Sequence, residues 1–244
     1  MNTVKRAFDR AENTYDEYCH VQKKVGMTLV HLLKTHHASA HHVLDLGCGT
    51  GMMTAYLASQ YEYQQFHALD ISSGLLNKAH QRLQSLNIAL HEMNFDNQPT
   101  FRTPFDIIYS NMAVQWSTHL PSLFMHTNSL LQKNGTLAFS IPLTGTFHEL
   151  QPHFAIHDFL DVETIANQLK QCDYTRLHYE TETITLTFVD TISALKSIKH
   201  IGANTVSHRM QKGLSTQKQL KHIQINQLTY CLGYFIARKI ETCN

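Results

Sequence analysis

The feature that most constrains the fold is a short apolar run that ends in a cluster of glycines. Residues 43–51 read VLDLGCGTG, and helix-favouring residues begin at Met52. The glycines allow the backbone to turn tightly and to approach a ligand where a Cβ atom would obstruct it. A buried strand that turns into a helix through such a loop is typical of α/β sheets that bind a ligand at their carboxyl edge.

The chain around this loop alternates between strands and helices. Before it, the apolar spacing predicts helix over 4–36. Strands alternating with helices favour a doubly wound sheet. The predicted strands are 42–46, 65–69, 88–93, 105–110 and 136–141, and the helices between them are 52–59, 73–86 and 120–132, the second capped by Ser72.

The pattern changes after Ile141. Two strands with alternating apolar residues, 183–188 and about 228–237, complete the predicted sheet. Helical stretches are predicted at 161–171, 190–201 and 215–225, and 190–201 begins at a capping aspartate and stops at a glycine. We therefore expect a seven-stranded, mixed, Rossmann-like α/β sheet with N-terminal helices and a helical lid inserted between the last two strands.

The glycine spacing and two acidic residues narrow the kind of ligand. The dinucleotide fingerprint G-x-G-x-x-G requires a third glycine where this chain has Met52. Asp45 lies two residues before the loop, where a carboxylate suits an ammonium group better than a pyrophosphate. Asp70 ends the second strand, where an acidic side chain can accept hydrogen bonds from both hydroxyls of a ribose.

This combination resembles the S-adenosylmethionine site of the class I methyltransferases. In that family the loop holds the methionine moiety, the second-strand acid holds the ribose, and the turn after the third strand flanks the adenine. The family usually has Asp where this chain has Asn94. By position, the resemblance assigns to the S-adenosyl-L-methionine site Asp45, Gly47, Cys48, Gly49, Gly51, Asp70, Ile71, Asn94, Phe95 and Asn111.

Composition excludes several other classes of protein. The chain of 244 residues is 43% hydrophobic, which is enough for a folded core, and its net charge of +1 gives no overall field that attracts nucleic acid. No apolar run approaches the roughly 20 residues of a membrane span. Five scattered cysteines without a CxxC pair fit reduced thiols. We therefore expect a cytoplasmic protein without a membrane or nucleic-acid partner.

The basic residues are unevenly distributed along the chain. Residues 191–240 contain no Asp or Glu, which leaves 12 basic and 19 acidic residues elsewhere. Such a block can attract an acidic partner, although a solvated Lys-rich surface is the alternative. It has no aromatic residue between Thr191 and Thr229, unlike most binders of single-stranded nucleic acid. The block, called here the basic block, consists of Lys196, Lys199, Arg209, Lys212, Lys218, Lys221, Arg238 and Lys239.

Four further stretches resemble the malonyl-acyl carrier protein O-methyltransferases of biotin synthesis. They are SNMAVQW at 110–116, AFDRA at 7–11 with VQKK at 21–24, LKSIKHIGAN at 195–204, and LTYCLGY at 228–234. The resemblance implies a single methyltransferase domain over 1–244. It implies N-terminal helices (1–40), a cofactor-binding half (41–142), a substrate half with the lid (143–226) and a closing strand (227–244).

The reaction that this resemblance implies is methyl transfer from S-adenosyl-L-methionine to the free carboxylate of a malonyl thioester. A carboxylate is ionised at neutral pH, so no general base is required. The substrate would be carried by an acidic acyl carrier protein, which suits the basic block, or by coenzyme A. Tyr15 is the candidate catalytic residue, as a positioning hydroxyl. The candidate substrate contacts are Gln115, Trp116, Arg6, Lys23 and Lys199, with Lys24 as a further candidate cation.

Three other interpretations remain open at this stage. They are a methyltransferase of a small free carboxylate such as trans-aconitate, a nucleic-acid-binding protein that uses the basic block, and a regulator that binds S-adenosylmethionine without turnover. Although the chain has 18 histidines, no HExxH or Cys/His ligand pattern indicates a metal site. Cys48 lies where a helix start can lower a thiol's pKa, but a spacer role fits methyl transfer better.

Overall fold

A computed structural model describes residues 3–203 and 223–239 of the protein. The helices are α1 (Thr3–Ala11), α2 (Tyr15–Tyr18), α3 (His20–His36), α4 (Met52–Ala58), α5 (Ser73–Leu83), α6 (Leu120–Leu130), α7 (Val162–Gln171) and α8 (Thr191–His200). The strands are β1 (His42–Leu46), β2 (Gln65–Asp70), β3 (Ile88–Glu92), β4 (Phe105–Asn111), β5 (Leu131–Pro142), β6 (Tyr174–Thr187) and β7 (Gln227–Lys239).

The seven strands form one sheet in the order β3-β2-β1-β4-β5-β7-β6. Strands β1 to β5 pair in parallel, whereas β7 is antiparallel to both β5 and β6. The chain winds outward in one direction from β1 and in the other from β4, which leaves a crevice at the carboxyl ends of these two strands. The predicted doubly wound, seven-stranded mixed sheet is confirmed.

Helices cover both faces of the sheet. On one face, α3 and α8 pack against the strands through apolar side chains such as Leu29 and Ile198. On the other, α6 and α7 contribute Phe124 and Leu169. In that second core, the ring of Phe139 on β5 stacks on the ring of Phe235 on β7, with centroids 4.9 Å apart. Burial of this kind contributes about 1.5–3 kcal/mol per large apolar side chain.

The N-terminal segment differs from its prediction. Three helices replace the single helical stretch over 4–36, with breaks at 12–14 and at Cys19. The hydroxyl of Thr14 donates to the carbonyl of His200 on α8, and Asp16 accepts from Thr50 in the glycine loop. These long-range contacts fix the α2 segment against α8 and the glycine loop, and the local apolar spacing does not encode them.

The region between β6 and β7 contains the predicted helix α8. Asp190 forms a capping box with Ser193, and the backbone turns at Gly202 with a φ of 71°. The predicted helix at 215–225 lies largely outside the described residues, and residues 223–226 are neither helix nor strand. Four residues of the basic block also lie outside them, namely Arg209, Lys212, Lys218 and Lys221.

Candidate active site

A cleft opens at the carboxyl ends of β1 and β4, under the N-terminal helices. It is the crevice where doubly wound sheets bind their ligands. The cleft brings together six of the residues that the sequence assigned to the site with six that it did not. The first six are Tyr15, Lys23, Asp45, Gly47, Cys48 and Asn111, and the others are Cys19, Gln22, Thr50, Met52, Met53 and Tyr109.

The glycine loop adopts a backbone that side chains would disfavour. Gly47, Gly49 and Gly51 have φ values of 78°, 56° and 75°. A Cβ at Gly47 would clash with that of Ala113, so only glycine fits this close packing. Gly49 instead faces open space, with no heavy atom within 4 Å of where its Cβ would be. The backbone at Gly49 is therefore open to a ligand.

Asp70 is held at the end of β2 by backbone amides. The amide of Gly49 donates to one carboxylate oxygen at 2.8 Å, and the amide of Ser72 donates to the other at 2.8 Å. Burial raises the pKa of Asp70, while these hydrogen bonds act in the opposite direction. A carboxylate has about four lone-pair sites, and the amides of Ser72, Gly49 and Ile71 act on this one, so capacity for a further donor remains. An acceptor in this position suits a ribose hydroxyl.

Asp45 is a buried carboxyl beneath the loop. It is 2% exposed, and the hydroxyl of Thr54 donates to its Oδ2 at 2.6 Å. Burial raises the pKa of Asp45 to about 7, opposed by the Thr54 hydrogen bond and assisted by the charge of Asp70. A buried carboxylate without a cation is costly, because desolvation disfavours its charged form. The site is thus suited to a ligand that brings a positive charge.

Cys48 and Tyr15 are both kept in their neutral forms. Burial raises the pKa of the Cys48 thiol well above its usual value, so the lowered pKa considered from the sequence is wrong. The helix start at Met52 does not compensate for desolvation and two nearby carboxyls. Burial likewise raises the pKa of Tyr15, which therefore presents a protonated hydroxyl to the cleft.

Strand β4 fixes the position of α3 along the cleft wall. The Nδ2 of Asn111 donates to the carbonyl of Gln22 at 2.9 Å, and the hydroxyl of Tyr109 donates to the carbonyl of Gly26 at 3.3 Å. The Oδ1 of Asn111 accepts from Ser140 on β5. Asn111 is therefore used as a support for the cleft wall.

A set of polar contacts joins α2 to the glycine loop. The carboxylate of Asp16 accepts from the Thr50 hydroxyl at 2.6 Å and pairs with Arg82 at 2.6 Å. Arg82 also donates to the carbonyl of Thr50. We call Asp16, Thr50 and Arg82 the loop clamp. The clamp holds α2 over the cleft, and nothing in the local sequence pattern indicates it because its members lie far apart along the chain.

A second set of contacts joins α1 to the end of β2. The Nζ of Lys5 donates to the carbonyl of Ile71 at 2.8 Å and pairs with Glu92 at 2.9 Å. Asp9 accepts from the hydroxyl of Ser72 at 2.6 Å. Ile71, assigned to the cofactor site, thus lies where α1 meets the sheet edge beside Asp70.

The predicted substrate residues Gln115 and Trp116 lie in a short turn of helix beyond β4. The Trp116 ring contacts Phe8 of α1 edge-on, with centroids 5.8 Å apart, and the ring of His157 at 5.6 Å. The Oε1 of Gln115 and the Nδ1 of His157 are buried without a hydrogen-bond partner among the described residues. His157, which sequence analysis did not assign to the site, completes this cluster of rings.

Helix α8 lies against the N-terminal helices. The ring of His200 stacks on Tyr18 with centroids 4.3 Å apart, and Gly202 packs so closely on Phe8 that a Cβ would lie 2.7 Å from its ring. Together with the hydrogen bond from Thr14, these contacts place the end of α8 beside the rings of Trp116, Phe8 and His157, which we call the Trp116 cluster.

The remaining predicted residues do not line the cleft. Asn94 caps a short turn by accepting from the amide of Asp96, and Phe95 packs against the second core. Arg6 and Lys199 are exposed on α1 and α8. Lys24 pairs with Glu182 on β6 at 2.6 Å. Of the candidate cations, Lys23 alone lines the cleft.

Residues 3–203 and 223–239 contain neither a metal cluster nor a membrane-spanning helix. Within that part of the chain, no three His, Cys, Asp or Glu side chains are grouped closely enough to hold a metal ion. None of its helices combines the length and the apolar character that a membrane crossing demands.

Comparison with known proteins connects the cleft to a family. Residues 43–135 match the model of a methyltransferase domain. Malonyl-[acyl-carrier protein] O-methyltransferase 2 of Coxiella burnetii is 33% identical over 97% of this chain and 96% of its own length. The biotin biosynthesis bifunctional protein BioHC of Teredinibacter turnerae is 29% identical over 91% of this chain, which corresponds to 42% of that protein.

A solved structure supports the fold. The N-methyltransferase NodS of Bradyrhizobium japonicum, in complex with S-adenosylhomocysteine, superposes with a TM-score of 0.59 at 14% identity, covering 97% of this chain and 99% of NodS. At that identity the likeness shows a shared class I methyltransferase fold. The sequence resemblance is confirmed by the Coxiella relative, whose match extends over nearly the whole of both chains: this chain belongs to the malonyl-[acyl-carrier protein] O-methyltransferase family.

Proposed function

We propose that this protein transfers the methyl group of S-adenosyl-L-methionine to the free carboxylate of a malonyl group carried as a thioester on acyl carrier protein, as a step of biotin synthesis. The observation that carries the proposal is the cleft itself, in a chain of this family. The residues in and beside the cleft fit the cofactor: the backbone at Gly49 faces open space, the carboxylate of Asp70 has capacity for a further donor, and Asp45 offers a buried carboxyl to a cation.

The bound cofactor supplies an electrophilic methyl group on a sulfonium, so the chain's own residues need only position the nucleophile. The malonyl carboxylate is ionised at neutral pH, with a reference pKa of about 4. Correct alignment of two reacting groups is able to lower a barrier by roughly 7–11 kcal/mol. Tyr15, with its protonated hydroxyl in the cleft, donates a hydrogen bond to the carboxylate oxygen that does not react. Lys23 adds positive charge at the rim.

The malonyl arm enters beside the Trp116 cluster. An apolar wall next to the end of β4 is formed by Trp116, Phe8 and His157. This wall excludes water from the carboxylate. The free Oε1 of Gln115 accepts a hydrogen bond from an amide of the thioester's pantetheine arm. In this assignment, residues 41–142 form the cofactor half and residues 143–226 the substrate half, with α8 as part of the lid.

The carrier docks on α8. Lys196 and Lys199 are exposed on this helix, beside the N-terminal helices that cover the cleft. Arg238 and Lys239 end β7, which runs antiparallel to β5, so they lie beside the amino-terminal part of β5, and both donate to main-chain carbonyls there. Among the described residues, the basic block is therefore split, and only its α8 part suits docking. A cytoplasmic location fits the four described cysteines, none of which forms a disulfide.

Transfer of labelled methyl from S-adenosylmethionine tests the proposal. Malonyl-acyl carrier protein is compared with malonyl-coenzyme A, trans-aconitate and bulk RNA. We expect label in a base-labile ester on the malonyl carrier. Label on trans-aconitate or RNA alone would refute the substrate, and cofactor binding without any transfer would indicate a regulator.

Charge reversal on α8 tests the docking surface. We expect Lys196→Glu with Lys199→Glu to raise KM for malonyl-acyl carrier protein several-fold and to reduce its dependence on salt, because an attraction between opposite charges is lost. Lys170→Glu is the control, since Lys170 is exposed at the end of α7, on the opposite face of the sheet from α8. An equal rise in KM for the α8 variant and for Lys170→Glu would contradict docking on α8.

A further inference from the structure

The cleft contains a buried side-chain oxygen that accepts no hydrogen bond from the described residues. Gln22 on α3 is 9% exposed and lines the cleft, and its Oε1 is buried without a hydrogen-bond partner among the described residues. Buried side-chain oxygens without partners are uncommon, and each costs about 1–3 kcal/mol of desolvation. Such an atom in a ligand cleft indicates a partner that the ligand supplies.

The backbone at Gln22 is fixed by its surroundings. Its carbonyl accepts from Asn111 at 2.9 Å, and one turn further along α3 the carbonyl of Gly26 accepts from Tyr109. A Cβ at Gly26 would lie 2.7 Å from the side chain of Met53, so α3 packs closely against α4 at this point. Gln22 therefore lines the cleft from a helix whose position is fixed by contacts with both β4 and α4.

The chemistry of the cleft identifies the group that this oxygen binds. An amide oxygen accepts hydrogen bonds and repels a carboxylate, whereas an ammonium has three donors and no acceptor. Asp45 lines the same cleft, and Thr54 already donates to its Oδ2. A ligand ammonium between the two finds a carboxyl on one side and a neutral acceptor on the other.

We propose that the side-chain oxygen of Gln22 accepts a hydrogen bond from the α-ammonium of bound S-adenosylmethionine, so that Gln22 and Asp45 together hold the amino-acid end of the cofactor. This inference rests on the cofactor proposed above. Gln22 is then a cofactor-binding residue carried by the N-terminal helices, and binding of the cofactor satisfies the buried oxygen.

Calorimetric titration of the full-length protein with three ligands tests the role of Gln22. S-adenosylhomocysteine has both ammonium and carboxylate, decarboxylated S-adenosylmethionine has the ammonium alone, and 5′-methylthioadenosine has neither. We expect Gln22→Leu to weaken the first two about 10- to 100-fold, as for a lost hydrogen bond to a charged group, and to leave the third unchanged. Gln22→Met, also without an acceptor oxygen, should reproduce the result.

The matched control is Gln168→Leu. The Oε1 of Gln168 is likewise buried without a partner among the described residues, but it belongs to α7, outside the cleft. It should leave all three affinities unchanged. Equal weakening of 5′-methylthioadenosine by Gln22→Leu, loss confined to S-adenosylhomocysteine, or no loss at all would overturn the inference. Wild-type protein that binds none of the ligands would refute the proposed cofactor as well, which separates the two failures.

Discussion

Replacing Asp45 by Asn should stabilise the ligand-free protein and weaken its hold on the cofactor. Asp45 is buried, and the hydrogen bond from the hydroxyl of Thr54 is what favours its charged form. Asn retains an oxygen that accepts the Thr54 hydrogen bond, fills nearly the same volume and carries no charge. The substitution therefore isolates the cost of keeping a carboxylate in this position.

The size of that cost follows from the shift in pKa. Burial raises the pKa of Asp45 from 3.8 to about 7. Because the folded state favours the protonated form, the native protein loses stability as pH rises from 3.8 to 7, and the loss is constant above 7. At about 1.36 kcal/mol per pH unit, the loss is roughly 2 kcal/mol at pH 5 and about 4 kcal/mol at pH 8.

Thermal or urea unfolding of both proteins between pH 5 and pH 8, without cofactor, measures the difference. We expect the advantage of Asp45→Asn to grow by about 2 kcal/mol over that range, which corresponds to a Tm gain of several degrees. Titration with S-adenosylhomocysteine at pH 8 should show weaker binding by the variant. An advantage that does not change with pH, or a variant less stable than wild type at pH 8, would refute the reasoning.

Three further substitutions test other parts of the structure. Arg82→Met removes the donors that hold the carbonyl of Thr50. The cofactor should then dissociate about 5-fold faster in stopped-flow experiments, which corresponds to the loss of about 1 kcal/mol from a half-exposed contact. An unchanged rate would show that the loop clamp does not limit release. Phe139→Ala should lower the free energy of unfolding by about 3–5 kcal/mol in urea, because it leaves a cavity between the sheet and its helices. Tyr174→Phe should cost about 1 kcal/mol, since the buried Thr127 hydroxyl loses one of its two partners, the Tyr174 hydroxyl at 2.9 Å, and a neutral result would contradict that hydrogen bond.

Much of the fold could be predicted because its signals are local. Alternating strands and helices, a glycine loop and an N-cap at Ser72 are each contained within a few residues, and the Ser72 cap is confirmed by the hydrogen bond from Leu75. Asp45 and Asp70 were proposed as cofactor contacts for the same reason, since each lies at the end of a strand in a parallel sheet, where ligands bind.

The rest of the site depends on contacts between distant parts of the chain. The oxygen of Gln22 is of interest because none of the described residues bonds to it, and the loop clamp joins residues from three separate elements. His157 reaches Trp116 from a segment without regular structure. Periodicity and capping rules describe neighbours along the chain, so they do not report such pairings.

The position of Trp116 gives the protein an optical probe of its own. Trp116 is the only tryptophan in the chain, so all indole emission arises from one point, between Phe8 of α1 and the ring of His157. Any motion of α1 or any molecule that enters beside these rings changes the polarity and the quenching that the indole experiences. Opening of the cleft can therefore be timed in the native protein by fluorescence, without an attached dye.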